Sequence, residues 1–458
     1  DALSSLTHEQ ISNLDVSPDH PGWHTEAYLK AHKNTWADME KWANDKQAKA
    51  LKKKIMKDHK KKAEEEGQEF KEIDLNYEEY SMHKARKVLF LSSIKTSATS
   101  AKVNTKDAYG QTWKLKWGNE VQAEPVGNRL AMKLGAKFAD MVYANKPGKE
   151  GVVLVLESKE KKGSCGHLNS YSLFRQCLLD STYNFLIDPY VLEKGTLTQS
   201  NIDSMLKYLP KSTIAKYSKE ELIGREYITF KESSVEFKSD EILSRAGSVA
   251  GSFLGAENDR AYRGNLVFAA WIWNIDQKDL NTKAVIAKDY PFDGQDKYLE
   301  FTHDFGASFG IPGKSMHVNT LDYGRDFMAV GGLTNIIKYS PHLRLFVFPG
   351  TKRIYIRQLM LFRPKAWAKT TFADGLWMAK KIVRLSRRDI AEITSHTLWP
   401  DYMQAAFVQK LLLRRNTIAK VFKIEHLLPA DEKEIEDISF GYDLSTPSER
   451  AKIAKHYK

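Results

Sequence analysis

Leu266-Val-Phe-Ala-Ala-Trp-Ile-Trp-Asn-Ile-Asp276-Gln-Lys-Asp-Leu-Asn281 is answered further along by Phe301-Thr-His-Asp304-Phe-Gly-Ala-Ser-Phe-Gly310. An apolar, helix-like run delivers Asp276, Asn281 follows five residues on, and a short strand-like run ends at Asp304 before Phe-Gly. Moving a phosphoryl group requires a carboxylate to orient the attacking hydroxyl. It also requires an amide oxygen and a second carboxylate to hold divalent metal against the phosphates. Asp276, Asn281 and Asp304 supply those residue types in that order. Singly, each is also what a loop or helix cap selects; the order and the flanking pattern are what point to a nucleotide site.

The cationic half of such a site lies far upstream. Lys102-Val-Asn-Thr-Lys-Asp, Ala108-Tyr-Gly110 and Gln111-Thr-Trp-Lys-Leu-Lys-Trp-Gly118 predict a hairpin with glycine at its turn. A period of two puts Trp113, Leu115 and Trp117 on one face of the second strand and Lys114 and Lys116 on the other. A helix follows over 120–135, with Pro125 near its first turn and Val126, Leu130 and Leu134 on one stripe. The cation that holds the α- and β-phosphates needs a carboxylate to orient it, and a strand lysine followed by a helix glutamate provides both. Lys116 with Glu124 is the favoured pair. Lys114 and Glu120 share the same faces and compete with them.

The chain has 458 residues, of which 42% are hydrophobic, enough for a sizeable core in two lobes with an extension. A formal net charge of +12 favours an acidic partner such as a nucleotide, nucleic acid, anionic surface or phosphorylated substrate. The longest apolar run, near 266–275, falls short of the roughly 18 residues that cross a membrane. A first residue other than methionine leads to the expectation of an exported, periplasmic or secreted chain, with the cytoplasm as the alternative. Two cysteines, Cys165 and Cys177, supply no four-ligand zinc set; in an exported chain they would pair, and otherwise they would be two thiols.

Residues 1–90 have the composition of an extension outside the core, with a long helix predicted over 28–67. Its most basic stretch, Lys52-Lys-Lys-Ile-Met-Lys-Asp-His-Lys-Lys-Lys62, reads as a solvated face. Val88-Leu-Phe-Leu91, Gly151-Val-Val-Leu-Val-Leu-Glu157, Tyr227-Ile-Thr-Phe230 and Ser234-Val-Glu-Phe-Lys238 predict strands, the second in a central sheet position. Between them, 163–222 is expected to be a mostly helical insertion. Gly, Ser and Ala over 239–255 suggest a hinge, and 311–335 an irregular loop beside the cleft. A second hairpin is predicted over 343–357, with Pro-Gly at its turn, followed by helices over 375–385, 387–397 and 402–422. Arg384, Arg387, Arg388, Lys410, Arg414 and Arg415 read as scattered solvated charges, and 425–458 as a polar tail.

Four motifs together carry a resemblance. Trp-Lys-x-Lys-x-Gly-x-Glu at 113–120, Glu-Pro-x-x-x-Arg-Leu opening 124–135, Asn-x-Asp-x-Lys-Asp-x-Asn at 274–281 and Asp-x-Gly-Ala-x-Phe-Gly at 304–310 resemble a large family of often exported bacterial proteins. Leu-Ser-x-x-x-Ile at 385–390 resembles that family's closing helices. At greater distance the pattern is similar to atypical kinases of the HipA and CotH types, which also place Glu-x6-Ala after the strand lysine, here Glu124 and Ala131. The resemblance implies an α+β, bilobal, atypical protein-kinase-like fold that uses ATP and Mg²⁺ or Mn²⁺. Asp276 would be catalytic, Lys116 (or Lys114) and Glu124 nucleotide-binding, and Asn281 and Asp304 metal-binding, with Asp279 a possible additional acid. The implied organisation is a basic helical extension at 1–90, an N-lobe at 91–240 with its insertion, a C-lobe at 241–425 and a tail at 426–458. The chain departs from the kinase pattern in having no G-x-G-x-x-G before the strand lysine and no His-Arg-Asp.

Two functions of different class follow. One is a phosphotransferase acting on a protein or small molecule; the other is a catalytically inactive, kinase-shaped binding or scaffold protein of the cell envelope. Nucleic-acid binding through the basic stretch ranks behind both, because no RNP-like aromatic motif or helix-turn-helix accompanies it.

Overall fold

The computed structural model describes residues 36–70, 80–96, 100–118, 120–134, 138–147, 151–156, 165–210, 217–238, 244–247, 260–274, 276–278, 281–290, 294, 296–309, 345–347, 354–356, 364–436 and 446–456. Over these the protein is a mixed α+β structure built on a curled sheet of eight strands. Helix α1 (Trp36–Glu65) and the short α2 (Met82–Ala85) precede β1 (Val88–Ile94), β2 (Lys102–Asp107) and β3 (Thr112–Lys116). Then come α3 (Glu120–Lys133), β4 (Phe138–Ala139), β5 (Val142–Asn145), β6 (Val153–Val155), α4 (Tyr171–Asp180), β7 (Val191–Thr196), α5 (Ile202–Met205), β8 (Glu226–Phe230) and β9 (Ser233–Phe237). The sheet order is β5-β9-β3-β2-β1-β6-β8-β7.

Both faces of the sheet's centre are covered, which accounts for its unbroken apolar strands. Leu89, Leu91, Leu154 and Ile228 enter the main core, whereas Val88, Phe90, Val153, Val155 and Tyr227 meet a second cluster containing Leu197, Ile202, Leu206 and Leu222. The 163–222 insertion is therefore the cover of that back face, but it is not mostly helical. Among its described residues only α4 and the four-residue α5 are α-helix, and β7 is an edge strand paired antiparallel to β8. Its largely exposed pattern has no alternation, so periodicity could not reveal it. Cys165 and Cys177 form a disulfide that ties the segment preceding α4 to that helix.

A second sheet, in the order β10-β11-β12-β4, contains β10 (Ser244–Gly247), β11 (Thr282–Ala287) and β12 (Lys297–Thr302). Part of the expected hinge is thus a strand, paired with β11. Helix α6 (Arg260–Ile272) runs into the segment before β11. The remaining strands, β13 (Leu345–Val347) and β14 (Ile354–Ile356), pair antiparallel as predicted. They are followed by α7 (Phe372–Val383), α8 (Arg387–Thr394), α9 (Asp401–Phe422) and α10 (Pro447–His456). Thr371 and Ser386 close capping boxes at α7 and α8. The expected loop at 311–335 lies outside the described residues.

Two expectations about charge and packing need correction. The first turns of α1 belong to the main core: Met39, Trp42, Ala43 and Leu51 are buried in it. Trp36 stacks under Arg129 and meets Tyr143 edge-on, while Trp42 donates to the Asp289 carbonyl at 3.2 Å. Only the later turns, holding Lys52-Lys-Lys54 and Lys60-Lys-Lys62, are the solvated face that their charge suggests. The second correction concerns Lys410, Arg414 and Arg415, which are buried rather than solvated. Arg415 pairs with Glu432 at 2.6 Å, and Arg414 donates to the carbonyls of Ala270 and Trp271 at the end of α6. A guanidinium there adds a donor at the carbonyl end of the helix, where the Ala270 carbonyl otherwise has the Trp273 amide. Among the described residues, no helix is long and apolar enough to cross a membrane.

Candidate active site

Helix α6 is buried along almost its whole length, with Gly264 letting it approach α7: a Cβ there would stand 2.8 Å from the Asp374 carbonyl oxygen. Arg260 and Arg263 both hold the Asp374 carboxylate, at 3.0 and 2.8 Å. The helix stops at Ile272; Trp273 has a φ of 46°, and the Asn274 amide still reaches the Ala269 carbonyl. Asn274 then accepts from the Asp276 amide at 3.1 Å. The chain that delivers Asp276 is thus fixed by a packed helix on one side and an Asx turn on the other.

Asn281 and Asp304 are far apart in sequence and meet through a hairpin. β11 and β12 pair in continuous register from Thr282↔Thr302 to Ala287↔Lys297, so the residues flanking the open end face each other. The His303 amide donates to the Asn281 carbonyl at 2.9 Å, and Asp304 comes next. The Asn281 side-chain amide donates to the Asp276 carbonyl at 2.5 Å, which leaves its oxygen as the donor atom for a cation. Asp304 itself adopts φ 65° and ψ 55°, a left-handed conformation that costs a non-glycine residue energy and is concentrated at functional positions.

Phe305, buried, joins this end of the hairpin to α3. Its ring meets Phe268 of α6 edge-on at 6.0 Å, and a Cβ on Gly127 would stand 2.7 Å from the Phe305 Cβ. That contact sets α3 against Asp304 and brings in the lysine strand. Lys116, only 3% exposed, reaches both carboxylate oxygens of Glu124, 2% exposed, at 2.6 and 2.8 Å. Lys114 is instead engaged by Glu236 of β9 at 2.5 Å, and the other oxygen of Glu236 lies 3.0 Å from Lys116. Of the two competing lysines, Lys116 is thus the one paired with Glu124, and Lys114 is paired with Glu236. Asp279 lies outside the described residues.

The site carries more negative than positive charge. Burial opposes ionisation of Lys116, yet Glu124, Glu236, Glu120 and Asp304 together hold its ammonium well above the usual lysine range. The Glu124 carboxyl is pushed up to about 7 by burial, with Glu120, Glu236 and Asp304 adding to the effect and Lys116 opposing it. Burial also raises Asp276, reinforced by Asp304 and opposed by Lys278, whose ammonium is 3.1 Å away. Lys102, facing Lys116 across β2 and β3, is lowered by burial and by that second lysine. Asp304 thus acts on Lys116, Glu124, Asp276 and Lys102 at once, which brings the two halves of the sequence into one electrostatic site.

Glu236 is a residue of this cluster that the sequence reading does not include. Its strand was predicted and a period of two sets it apart from the apolar Val235 and Phe237, but only the pairing Lys114↔Glu236 shows which lysines it serves. No protein-family model, no curated protein and no solved structure matches the chain.

Proposed function

We propose that the protein is an ATP- and divalent-metal-dependent phosphotransferase of the atypical kinase-like class, acting on a protein or small-molecule substrate. One observation carries the reading: a buried, two-pronged Lys116–Glu124 ion pair, from a strand and the helix that follows it, beside Asp304 at the end of a hairpin that opens at Asn281. A purely structural ion pair does not call for a left-handed aspartate and an asparagine-anchored loop next to it.

In this reading Lys116, oriented by Glu124 and Glu236, meets the α- and β-phosphate oxygens. Asp276 orients the substrate hydroxyl and accepts its proton; its Oδ1 is buried and makes no hydrogen bond with the described residues. Asn281 and Asp304 fit a hard cation, offering an amide oxygen and a carboxylate in a site with surplus negative charge. When bound, Mg²⁺ or Mn²⁺ supplies neutralisation of the phosphate charge. The bilobal kinase-like organisation is part of the same proposal, with the eight-stranded sheet in the first lobe and α6–α9 in the second.

The Cys165–Cys177 disulfide favours the second reading, an inactive kinase-shaped envelope protein, because disulfides persist in oxidising compartments. Thermal unfolding with ATP plus Mg²⁺ or Mn²⁺ and turnover of labelled ATP distinguish the two. The enzyme reading requires a nucleotide- and metal-dependent stabilisation that Asp304→Ala abolishes, together with turnover that Asp276→Asn removes. Stabilisation without turnover supports the inactive protein, and no stabilisation by any nucleotide with either metal overturns the nucleotide site.

A further inference from the structure

Glu120, one turn before Glu124 on α3, has a place in the site that the roles above leave unused. Glu120, Glu124 and Asp304 each offer a carboxylate oxygen, and the three oxygens lie within 4.8 Å of one another. Acidic groups gather for many reasons, so the state of Glu120 itself matters. The residue is only 8% exposed, and its Oε2 is buried without a hydrogen-bond partner. A buried carboxylate oxygen lacking any donor is costly unless a cation completes it.

The backbone is shaped to keep it there. A Cβ at Gly306 would stand 2.4 Å from the Glu120 Cγ and 2.6 Å from its Cδ, so only glycine in the Asp304-Phe-Gly turn leaves room for this side chain. Two ammonium groups are near and neither hydrogen-bonds this oxygen: Lys116 contacts Glu124 and Glu236, and Lys102 acts on Glu120 only through its charge. Asp304, half-buried, gives the cluster an opening towards solvent.

We propose that Glu120 is a metal ligand: a divalent cation is held by Glu120 and Asp304, with Glu124 closing the third side, and it binds before any nucleotide does. Three carboxylates and no nitrogen or sulfur donor select a hard ion of the Mg²⁺ or Mn²⁺ kind. The site shares Asp304 with the nucleotide site and rests on that reading for its purpose, though not for its occupancy. Glu120 would then preload the cleft with the ion that the phosphates later meet.

Mn²⁺ alone, titrated into the full chain and followed by electron paramagnetic resonance, tests this. Wild type should bind, and Glu120→Gln should weaken binding by on the order of 100-fold, the upper range for disturbing a metal's surroundings. Glu120→Asp, which keeps the charge on a shorter arm, should fall between them. Glu120→Gln removes repulsion from Glu124 together with attraction to Lys116 and Lys102, so its metal-free unfolding temperature should stay close to wild type; should it nevertheless fail to fold, the aspartate variant carries the same comparison. Equal Mn²⁺ affinity in wild type and both variants overturns the proposal, as does the absence of binding to wild type without nucleotide. Either result leaves ATP-dependent stabilisation to be judged separately. Conversely, Glu120-dependent Mn²⁺ binding with no response to ATP retains the cation site and removes the nucleotide reading.

Discussion

Replacing Lys116 by methionine tests the electrostatics of the site directly. The side chain is nearly isosteric, but Glu124 loses the cation paired with it among the described residues while Glu236 keeps Lys114 at 2.5 Å. Removing one partner of a buried ion pair costs about 3–5 kcal/mol. Part of that cost depends on pH, with a definite sign. A carboxyl whose folded pKa lies above its unfolded value destabilises the fold increasingly as pH rises from the unfolded to the folded pKa. For Glu124, raised from 4.5 to about 7, the wild-type loss levels off near pH 7 at about 3 kcal/mol, at roughly 1.4 kcal/mol per unit. Without Lys116 that carboxyl moves higher still, and the loss continues to grow through pH 8. The variant should therefore be destabilised at pH 6 and by on the order of 1 kcal/mol more at pH 8. Urea unfolding followed by tryptophan fluorescence, in chelator and at both pH values, measures this. A variant as stable as wild type at pH 8, or one with the same deficit at both, would refute the assigned coupling.

Three further outcomes are expected. Gly127→Ala drives a Cβ to 2.7 Å from the Phe305 Cβ, and overpacking of this kind should cost about 1–3 kcal/mol in urea unfolding and weaken any stabilisation by nucleotide and metal. Arg414→Met strips the Trp271 carbonyl at the end of α6 of its Arg414 donor, while the Ala270 carbonyl keeps the Trp273 amide at 3.2 Å, so unfolding should show a loss of about 1–3 kcal/mol, the cost of one unsatisfied group. Replacing Cys165 and Cys177 together by serine opens a loop with a sequence separation of 12, and should lower stability by about 3 kcal/mol relative to the oxidised chain and match wild type kept in reductant.

How far the site was legible depends on the range of the signal each residue leaves. Lys116 and Glu124 are eight positions apart, and both periods that place them, two along β3 and one helical turn along α3, are local. Asn281 and Asp304 need one long-range step, but a hairpin is the simplest such step, and both lie at the open ends of strands with the right alternation. Glu236 is different: its strand is visible, yet pairing to β3 across the 117–232 segment is a choice among several strands that composition does not make. The buried cations of α9 are harder still. Arg414 and Arg415 sit on a helix buried on nearly every side, so no polar face marks them, and the average behaviour of arginine points to solvent. What overrides that average is a demand from elsewhere in the chain: the carbonyl end of α6 and the carboxylate of Glu432 each require a donor. Glu120 poses the same kind of question with the opposite outcome, since its buried oxygen has a demand and the described residues supply no hydrogen-bond donor for it. A sequence shows where charge is placed, whereas only the fold shows which buried charges are answered. Glu120 and Asp276, whose buried oxygens lack hydrogen-bond partners among the described residues, share one electrostatic site with Asp304, and that convergence is the reason for seeking chemistry there.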